Sequence, residues 1–295
     1  MRVNPNSMPD LLNALAQTEQ QQNTELLQLS TGRRVNQPSD DPAAEAQLIE
    51  NKAESAQADS FQQSLSSING QFQTADSTLS SIETQLQRAI TLGTQAANQG
   101  TLSDNDRLAI ANELQGIQNQ LVSLANTSYQ GVFLFSGTVQ TQPFVVDASV
   151  PSGVRYAGNT GLNRVTVGAG YQLQGNLPGS QLFSATGSDV FQSMTDLIQS
   201  VQTNSNIGDS VAEVNKAFTY LSTQRVFYGN AMNQVTSQQN FLSSETVELS
   251  TQENTIAGAD ISVVASNLVQ TENARQAALQ AIGRMPPRSL FDFLQ

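Results

Sequence analysis

The sequence predicts a mainly α protein: a long antiparallel bundle of heptad-patterned helices, a small β-rich insertion, and two terminal helices that pair on assembly. Apolar residues recur about every 3.5 residues over two stretches, 58–96 and 211–249. This period is typical of helices that supercoil around a partner. Residues 131–183 instead hold many glycines and short β-type runs between turn signals. Both ends of the chain carry thinner apolar stripes at helical spacing.

The N-terminal helix has a heptad stripe that two polar residues interrupt. Its positions are Met8, Leu12, Leu15, Glu19, Gln22, Leu26 and Leu29. Such a stripe buries too little apolar surface to offset the entropy of ordering the helix alone. We therefore expect this helix to be poorly ordered in the single chain and to fold against the C-terminal helix, or against neighbouring chains, on assembly.

A joint with two prolines, LSTGRRVNQPSDDPA at residues 29–43, separates this helix from the next one. Proline lacks a backbone donor and pushes the preceding residue out of the α conformation. The terminal helix is therefore expected to end at about Gly32. Ser39 or Asp40 is expected to cap a helix that begins near Pro42.

The same joint concentrates charge in a chain with only 13% charged residues. Arg33 and Arg34 precede the prolines, and Asp40 and Asp41 lie between them. One interpretation is a capped helix–turn–helix, which accounts for the acids, with the cations favoured beside a helix C-terminus. The other is that these four residues meet opposite charges on neighbouring subunits.

The two long stretches are predicted to be antiparallel partner helices. In the first, every heptad position is apolar or glycine: Ala58, Phe61, Leu65, Ile68, Phe72, Ala75, Leu79, Ile82, Leu86, Ala89, Gly93 and Ala96. In the second, three polar residues interrupt the series: Val211, Val214, Phe218, Leu221, Arg225, Tyr228, Met232, Val235, Gln239, Leu242, Thr246 and Leu249. Arg225 and Gln239 either fix the register of the pair or mark places where the stripe faces solvent.

A shorter helix is predicted to fold back as an α-hairpin, with residues 103–128 against 44–98. Ser103 is placed to cap it, with Asp106 three residues later. Its apolar stripe consists of Ile110, Leu114, Ile117, Leu121 and Leu124.

The β-rich insertion follows this hairpin. Its predicted strands are residues 132–135, 144–146, 154–156 and 164–167, each bounded by turn signals. Helix resumes near Asp189, and its predicted buried face consists of Val190, Met194, Leu197, Ile198 and Val201.

The C-terminal helix repeats the style of the N-terminal one. Its thin stripe is Ile261, Val264, Leu268, Leu279 and Ile282, with Glu272 and Arg275 in the middle. Beyond it lies an apolar tail that has no evident partner among the chain's own helices, and we expect this tail to pack in an assembled core. The tail residues are Leu290, Phe291, Phe293 and Leu294.

These elements predict five segments. Residues 1–41 form an N-terminal assembly helix that pairs with residues 256–295. Residues 42–138 form rod helices and the hairpin, packed with the rod helices of residues 186–255. Residues 139–185 form the β-rich insertion domain.

The composition argues against several classes of function. With 13 basic and 25 acidic residues, the net charge of −12 disfavours nucleic acids and anionic membranes as partners. The chain has no His and no Cys, which removes the usual general base and thiolate chemistry. Asp104-Asn105-Asp106 fits a helix N-terminus better than a calcium loop. We therefore expect no enzyme activity, no cofactor and no metal, and the first thirty residues predict no cleaved signal peptide.

Both ends of the chain are similar to the bacterial flagellin superfamily. LSTGRRVNQPSDDPAAEAQL (29–48) resembles a flagellin signature of the form LSSGxRINxAxDDxAGxA. ENTIAGADISVVASNLVQTENARQAALQAIGRM (253–285) resembles the C-terminal one, with Gly258 where flagellins carry an acidic residue. YQGVFLFSGT (129–138) and the ending SLFDFLQ resemble hook-associated proteins type 3, the branch that forms the hook–filament junction.

This resemblance implies a structural subunit of the bacterial flagellum, outside the cell, exported without a cleaved signal. Its implied partners are further copies of itself, the other hook-associated junction protein, flagellin, an export chaperone and the type III export apparatus. A short filament flagellin, or a secreted coiled-coil interaction protein, is the alternative.

Overall fold

The computed structural model of the chain describes residues 7–98 and 103–284, with side chains from Pro9 onward. The side chain of Met8 and the tail residues Leu290, Phe291, Phe293 and Leu294 lie outside that description. The helices are α1 Ser7–Thr31, α2 Pro42–Asn98, α3 Asp104–Ala125, α4 Gly179–Leu182, α5 Val190–Thr203, α6 Ile207–Ala257 and α7 Ile261–Arg284. Strands form antiparallel pairs: β1 Ser128–Tyr129 with β2 Val132–Phe133, β3 Phe144–Val146 with β4 Val154–Tyr156, β5 Arg164–Gly168 with β6 Tyr171–Gln174, and β7 Ser184–Ala185 with β8 Ser188–Asp189.

The chain divides into two compact units. The terminal unit comprises Met1–Gln57 and Ser244–Gln295, and the central unit comprises Ala58–Ser243. The long helices α2 and α6 each contribute residues to both units.

The main hydrophobic core lies in the central unit, where the heptad stripes of α2 and α6 are buried. In the α2 stripe every position is buried except Phe61, which packs partly buried against the same core. The α6 stripe is buried at every seventh residue, at Val214, Leu221, Tyr228, Val235 and Leu242. The prediction of a heptad-patterned antiparallel helical bundle is confirmed.

Arg225 clamps α6 to α2 through ion pairs, and its side chain is 29% exposed. Its guanidinium donates to both carboxylate oxygens of Asp76, at 2.6 and 2.9 Å, and to Glu83 at 2.7 Å. The hydrogen bonds that Arg225 donates to Asp76, and secondarily those to Glu83, raise its pKa above the usual value. Arg225 therefore pairs the helices in one register, while Gln239 and Thr246, the other two polar positions, are half-buried.

Replacing Arg225 by alanine should destabilise the central unit by about 1–3 kcal/mol, because Asp76 and Glu83 then keep their partial burial without a cation. Chemical denaturation of the full chain measures this change. Lys216→Ala is the matched control, since Lys216 is exposed and pairs one turn away with the equally exposed Glu213; it should change stability by no more than about 0.5 kcal/mol. Equal effects of the two substitutions would show that the clamp contributes nothing.

The helices α3 and α5 of the central unit agree with the sequence predictions. The Ser103 hydroxyl accepts from the Asp106 N–H at 3.2 Å and donates to its carboxylate at 2.7 Å, which confirms the predicted cap. Four of the five predicted α3 stripe residues are buried, and Leu124 packs partly buried against the core. The predicted face of α5 is buried throughout, and Asp189 caps that helix by accepting from the Gln192 N–H at 2.9 Å.

The insertion differs in detail from the predicted strands. Leu134 and Phe135, expected to continue a strand, leave β2 and are buried in the core. The chain turns at Gln130 and Gly131, which both have positive φ, and forms a hairpin from two-residue strands. The two-residue strands β1, β7 and β8 carry no alternation in the sequence, so they were not predicted. The strand β6, whose run YQLQ does alternate, and the single helical turn α4 were not predicted either.

Candidate assembly interface

The proline joint lies against the break between α6 and α7. Gly32, with φ +68°, follows the end of α1, and its N–H bonds to the Gln28 carbonyl at 2.8 Å. The Ala259 N–H donates to the Gly32 carbonyl at 2.9 Å, and the Arg34 N–H donates to the Ala257 carbonyl at 2.6 Å. These bonds join the inner ends of α1 and α7.

Gly258 and Asp260 shape the α7 side of this joint. A Cβ at position 258 would collide with the backbone carbonyl oxygen of Asn254, so the acidic residue that flagellins carry there does not fit this geometry. Asp260 caps α7, because its Oδ1 accepts from the N–H groups of Ser262 at 2.9 Å and Val263 at 3.2 Å.

The two aspartates of the joint accept hydrogen bonds from backbone N–H groups. Asp41, rather than Ser39 or Asp40, caps α2, because its Oδ1 accepts from the Ala44 N–H at 3.1 Å. Asp40 instead accepts from the N–H groups of Asn36 and Gln37, both at 3.0 Å. The expected capping residue was therefore wrong by one position, because Asp40 stabilises the turn before the helix.

The arginines of the joint also have partners within the chain. Arg33 forms an ion pair with Glu253 at 3.0 Å, and Arg34 bridges Asp41 and the Ile256 carbonyl, both at 3.0 Å. Their side chains stay partly exposed. The hypothesis that these charges meet neighbouring subunits therefore stays a prediction. The same charges already have partners within the chain.

The joint should loosen in acid. The Ala44 N–H, followed by Arg34, lowers the pKa of Asp41, and the Asn36 N–H lowers that of Asp40. A carboxylate with a lowered folded pKa stabilises the fold above its ordinary pKa of about 4, and this contribution is lost as pH falls through the folded pKa. The protection factor of the Arg34 amide against hydrogen exchange should therefore fall below about pH 4. In the Asp41→Asn variant, the part of this pH-dependent loss of protection that Asp41 causes should be absent. An unchanged pH dependence would show that another group causes it.

Beyond the joint, α1 and α7 pack against each other. They are antiparallel, because α1 ends at the joint and α7 begins there. The α1 face turned toward α7 is mixed in polarity: Leu11, Leu15, Thr18, Gln22, Glu25 and Gln28 are buried or half-buried. The matching face of α7 consists of Val264, Leu268, Thr271, Arg275, Ala278 and Ile282. We call the contact between these two faces the terminal seam.

Several apolar side chains of both helices point away from the terminal seam into solvent. On α1, Leu12 is 50% exposed and Leu26 is 46% exposed. The full set of exposed apolar residues on the two helices is Leu12, Leu26, Leu27, Leu29, Ile261, Val263, Val269 and Leu279. We call this set the outer apolar face. Large exposed apolar side chains on two packed helices are a candidate interaction site.

The predicted interface residues fall into two groups. Leu15, Val264, Leu268 and Ile282 lie in the terminal seam. Leu12, Leu26, Leu29 and Leu279 lie on the outer apolar face, to which the structure adds Leu27, Val263 and Val269. Ile261, which the sequence analysis placed in the α7 stripe, is also exposed on this face.

The core of the terminal unit is small. It consists of Val35, Ala44, Leu48 and Ala257, with Ile256 packed against it. Next to it, the buried Asn51 amide donates to the Leu249 carbonyl at 3.1 Å. So small a core leaves many large apolar residues of this unit exposed in a single chain.

No helix in the described part of the chain combines the length and apolar content that a membrane span requires. Among the same residues, no group of three or more acidic side chains is placed to hold a metal ion.

Comparison with known proteins gives consistent matches. Residues 4–140 match the family described as bacterial flagellin N-terminal helical region, and residues 211–294 match bacterial flagellin C-terminal helical region. The chain is 27% identical over 286 residues to flagellar hook-associated protein 3 of Escherichia coli K12. It is 29% identical over 293 residues to flagellar hook-associated protein 3 of Salmonella typhimurium. Both alignments cover 90% of this chain and 90% of the relative.

Solved structures share the fold. A flagellar hook-associated protein from Vibrio parahaemolyticus aligns with a TM-score of 0.68 and 21% identity, covering 74% of this chain and 99% of that one. The flagellar junction protein FlgL from Legionella pneumophila aligns with a TM-score of 0.60 and 15% identity, covering 72% of this chain and 100% of that one.

Proposed function

Because this chain belongs to the bacterial flagellin family, we propose that it is the structural subunit that forms the hook–filament junction of a bacterial flagellum. In this role it polymerises into a thin layer through α1 and α7. One side of the layer meets the other hook-associated junction protein, and the other side meets the flagellin filament.

The outer apolar face is the observation that carries this proposal. Exposing these leucines and valines and Ile261 on two paired helices does not stabilise a single chain, whereas their burial against neighbours stabilises an assembly by about 25 cal/mol for each Å² covered. The relatives matched along 90% of this chain carry the name flagellar hook-associated protein 3, which favours the junction over the filament.

In this proposal each segment has a separate role. Residues 1–41 and 256–295 are the assembly segments, residues 42–138 and 186–255 form a rod that is folded before assembly, and residues 139–185 form the insertion. The subunit is not an enzyme. It passes unfolded through the type III export apparatus, with a chaperone as its partner inside the cell, and it acts outside the cell.

The experiment uses hooks isolated from a strain that lacks this chain. Full-length protein added to these hooks should bind them and allow added flagellin to grow filaments, as counted by electron microscopy. A chain that ends at Ala257 lacks α7 and the tail and should do neither, whereas Lys216→Ala should behave like the full-length protein. Filament growth with the shortened chain, or without any added chain, would refute the proposal.

A further inference from the structure

Glu25 of α1 is an acidic residue that is buried in the terminal seam without full pairing. Only 6% of its surface is exposed. Its Oε1 accepts from the side-chain amide of Gln21, on the same helix, at 3.1 Å. Its Oε2 is shielded from solvent and has no hydrogen-bond partner in the described part of the chain. Buried polar atoms are nearly always paired, so this oxygen is unusual.

The α7 residues that lie across the seam from Glu25 are apolar. The Ala259 N–H donates to the Gly32 carbonyl, and α1 and α7 run antiparallel away from this bond. Glu25 lies about two turns before Gly32, so it is level with α7 residues about two turns beyond Ala259. The residues of the α7 seam face nearest that level are Val264 and Leu268. Neither of these side chains can donate a hydrogen bond to the carboxyl group.

Glu25 also takes part in no ion pair among the described residues. The α1 helix itself has no basic residue. On α7, Arg275 lies about 13 Å farther along the helix than the level of Glu25, and the acidic Glu272 lies between. Arg33 and Arg34 of the joint pair with other carboxylates. Burial of the Glu25 carboxyl group is therefore not offset, and such burial destabilises a fold.

The rest of the terminal seam offers little to compensate for this burial. Its α1 face also includes Thr18 and Gln22, and its α7 face includes Thr271. The apolar core of the terminal unit has only a few residues around Val35 and Leu48. Segments with few buried apolar contacts open locally at a lower free energy than a core does. The terminal seam should therefore open more readily than the core of the central unit.

We propose that Glu25 is a conformational weak point that lets α1 and α7 separate while the central unit stays folded. Its unpaired carboxyl oxygen destabilises the closed seam and becomes hydrated when the seam opens. In a polymerising subunit, this opening lets the two helices rearrange as neighbouring copies cover them. The opposite role, in which Glu25 holds the seam together, predicts the opposite response to its replacement.

Hydrogen exchange of the full-length, unpolymerised chain distinguishes these two roles. Glu25→Met removes the carboxyl group and keeps an unbranched side chain of similar length. It should raise the protection factors of the α1 and α7 amides by about tenfold and leave those of the central unit unchanged. Lower or unchanged protection of the terminal helices would overturn the proposal.

Two further variants of α1 serve as controls. Gln22→Met adds apolar surface at a half-buried seam position without removing an unpaired buried oxygen, and it should change the protection factors by less than about threefold. Glu19→Met makes the same chemical change as Glu25→Met at an exposed position and should leave protection unchanged. If either control raised protection as much as Glu25→Met, apolar contact or helix propensity would explain the gain, and the proposal would fail.

A second measurement rests on the proposed junction function. If the open seam is the form that joins the hook, the Glu25→Met chain should bind isolated hooks about threefold or more slowly than the original chain, because less of it is open. An equal or faster rate would overturn the proposal. If neither chain bound hooks, the junction function would fail, whereas the exchange measurement would still decide whether Glu25 weakens the seam.

Discussion

Replacing Leu12 and Leu26 together by aspartate will abolish polymerisation of the chain and leave the melting temperature of its central unit within about 2 °C of the original. Both leucines belong to the outer apolar face, and each is about half exposed in the single chain. Charges at these positions cost little in water but would have to lose their hydration in an assembly interface. Sedimentation measures polymerisation, and circular dichroism on heating measures the melting temperature.

The control for this double substitution is Leu108→Asp. Leu108 is 55% exposed on α3, in the central unit, so it matches the two leucines in chemistry and exposure but lies outside the terminal helices. It should leave polymerisation intact. If it blocked polymerisation as strongly, the outer apolar face would have no special role; if the double variant polymerised normally, that face would not be the interface.

Phe72→Ala will have the largest effect on stability, lowering it by about 3–5 kcal/mol. Phe72 is fully buried between α2 and α6. Its ring packs edge-to-face against Phe227 and Tyr228, with centroids 6.4 and 6.0 Å away. Its removal therefore loses apolar burial and aromatic contacts and leaves a cavity. Calorimetry should show a melting temperature lower by about 10 °C.

Phe241→Ala provides the matched comparison, because Phe241 lies on α6 but is 60% exposed. It should change stability by no more than about 0.5 kcal/mol. Similar losses from the two phenylalanines would mean that the rod core is not packed as described. Together with the leucine variants, these substitutions separate residues that fold the subunit from residues that assemble it.

Periodicity was sufficient to predict the rod. The stripes from Ala58 to Ala96 and from Val211 to Leu242 are apolar at almost every heptad position, and burial follows that pattern. The α3 cap at Ser103 was predictable because one short motif determines it locally. In the insertion, Leu134 and Phe135 have β propensity but are buried by contacts with residues distant in sequence. Propensity alone could not show this, because tertiary packing decides such positions.

The terminal unit shows why interface residues are harder to predict from sequence. A thin stripe with leucines at Leu12 and Leu26 indicates that some apolar face needs a partner, and this was anticipated. The stripe does not show which face meets α7, because the seam itself buries polar residues such as Glu25 and Thr271. The joint gave a similar result: its charges were evident, but the choice of Asp41 as cap depends on a one-residue difference in backbone geometry.

The most direct test of the junction role is electron microscopy of the bacterium that makes this chain, after deletion of the gene that encodes it. The proposed function predicts complete hooks without filaments and flagellin released into the medium, with filaments restored by the full-length chain but not by the Leu12→Asp, Leu26→Asp variant. Filaments of normal length on cells that lack the chain would contradict the proposal.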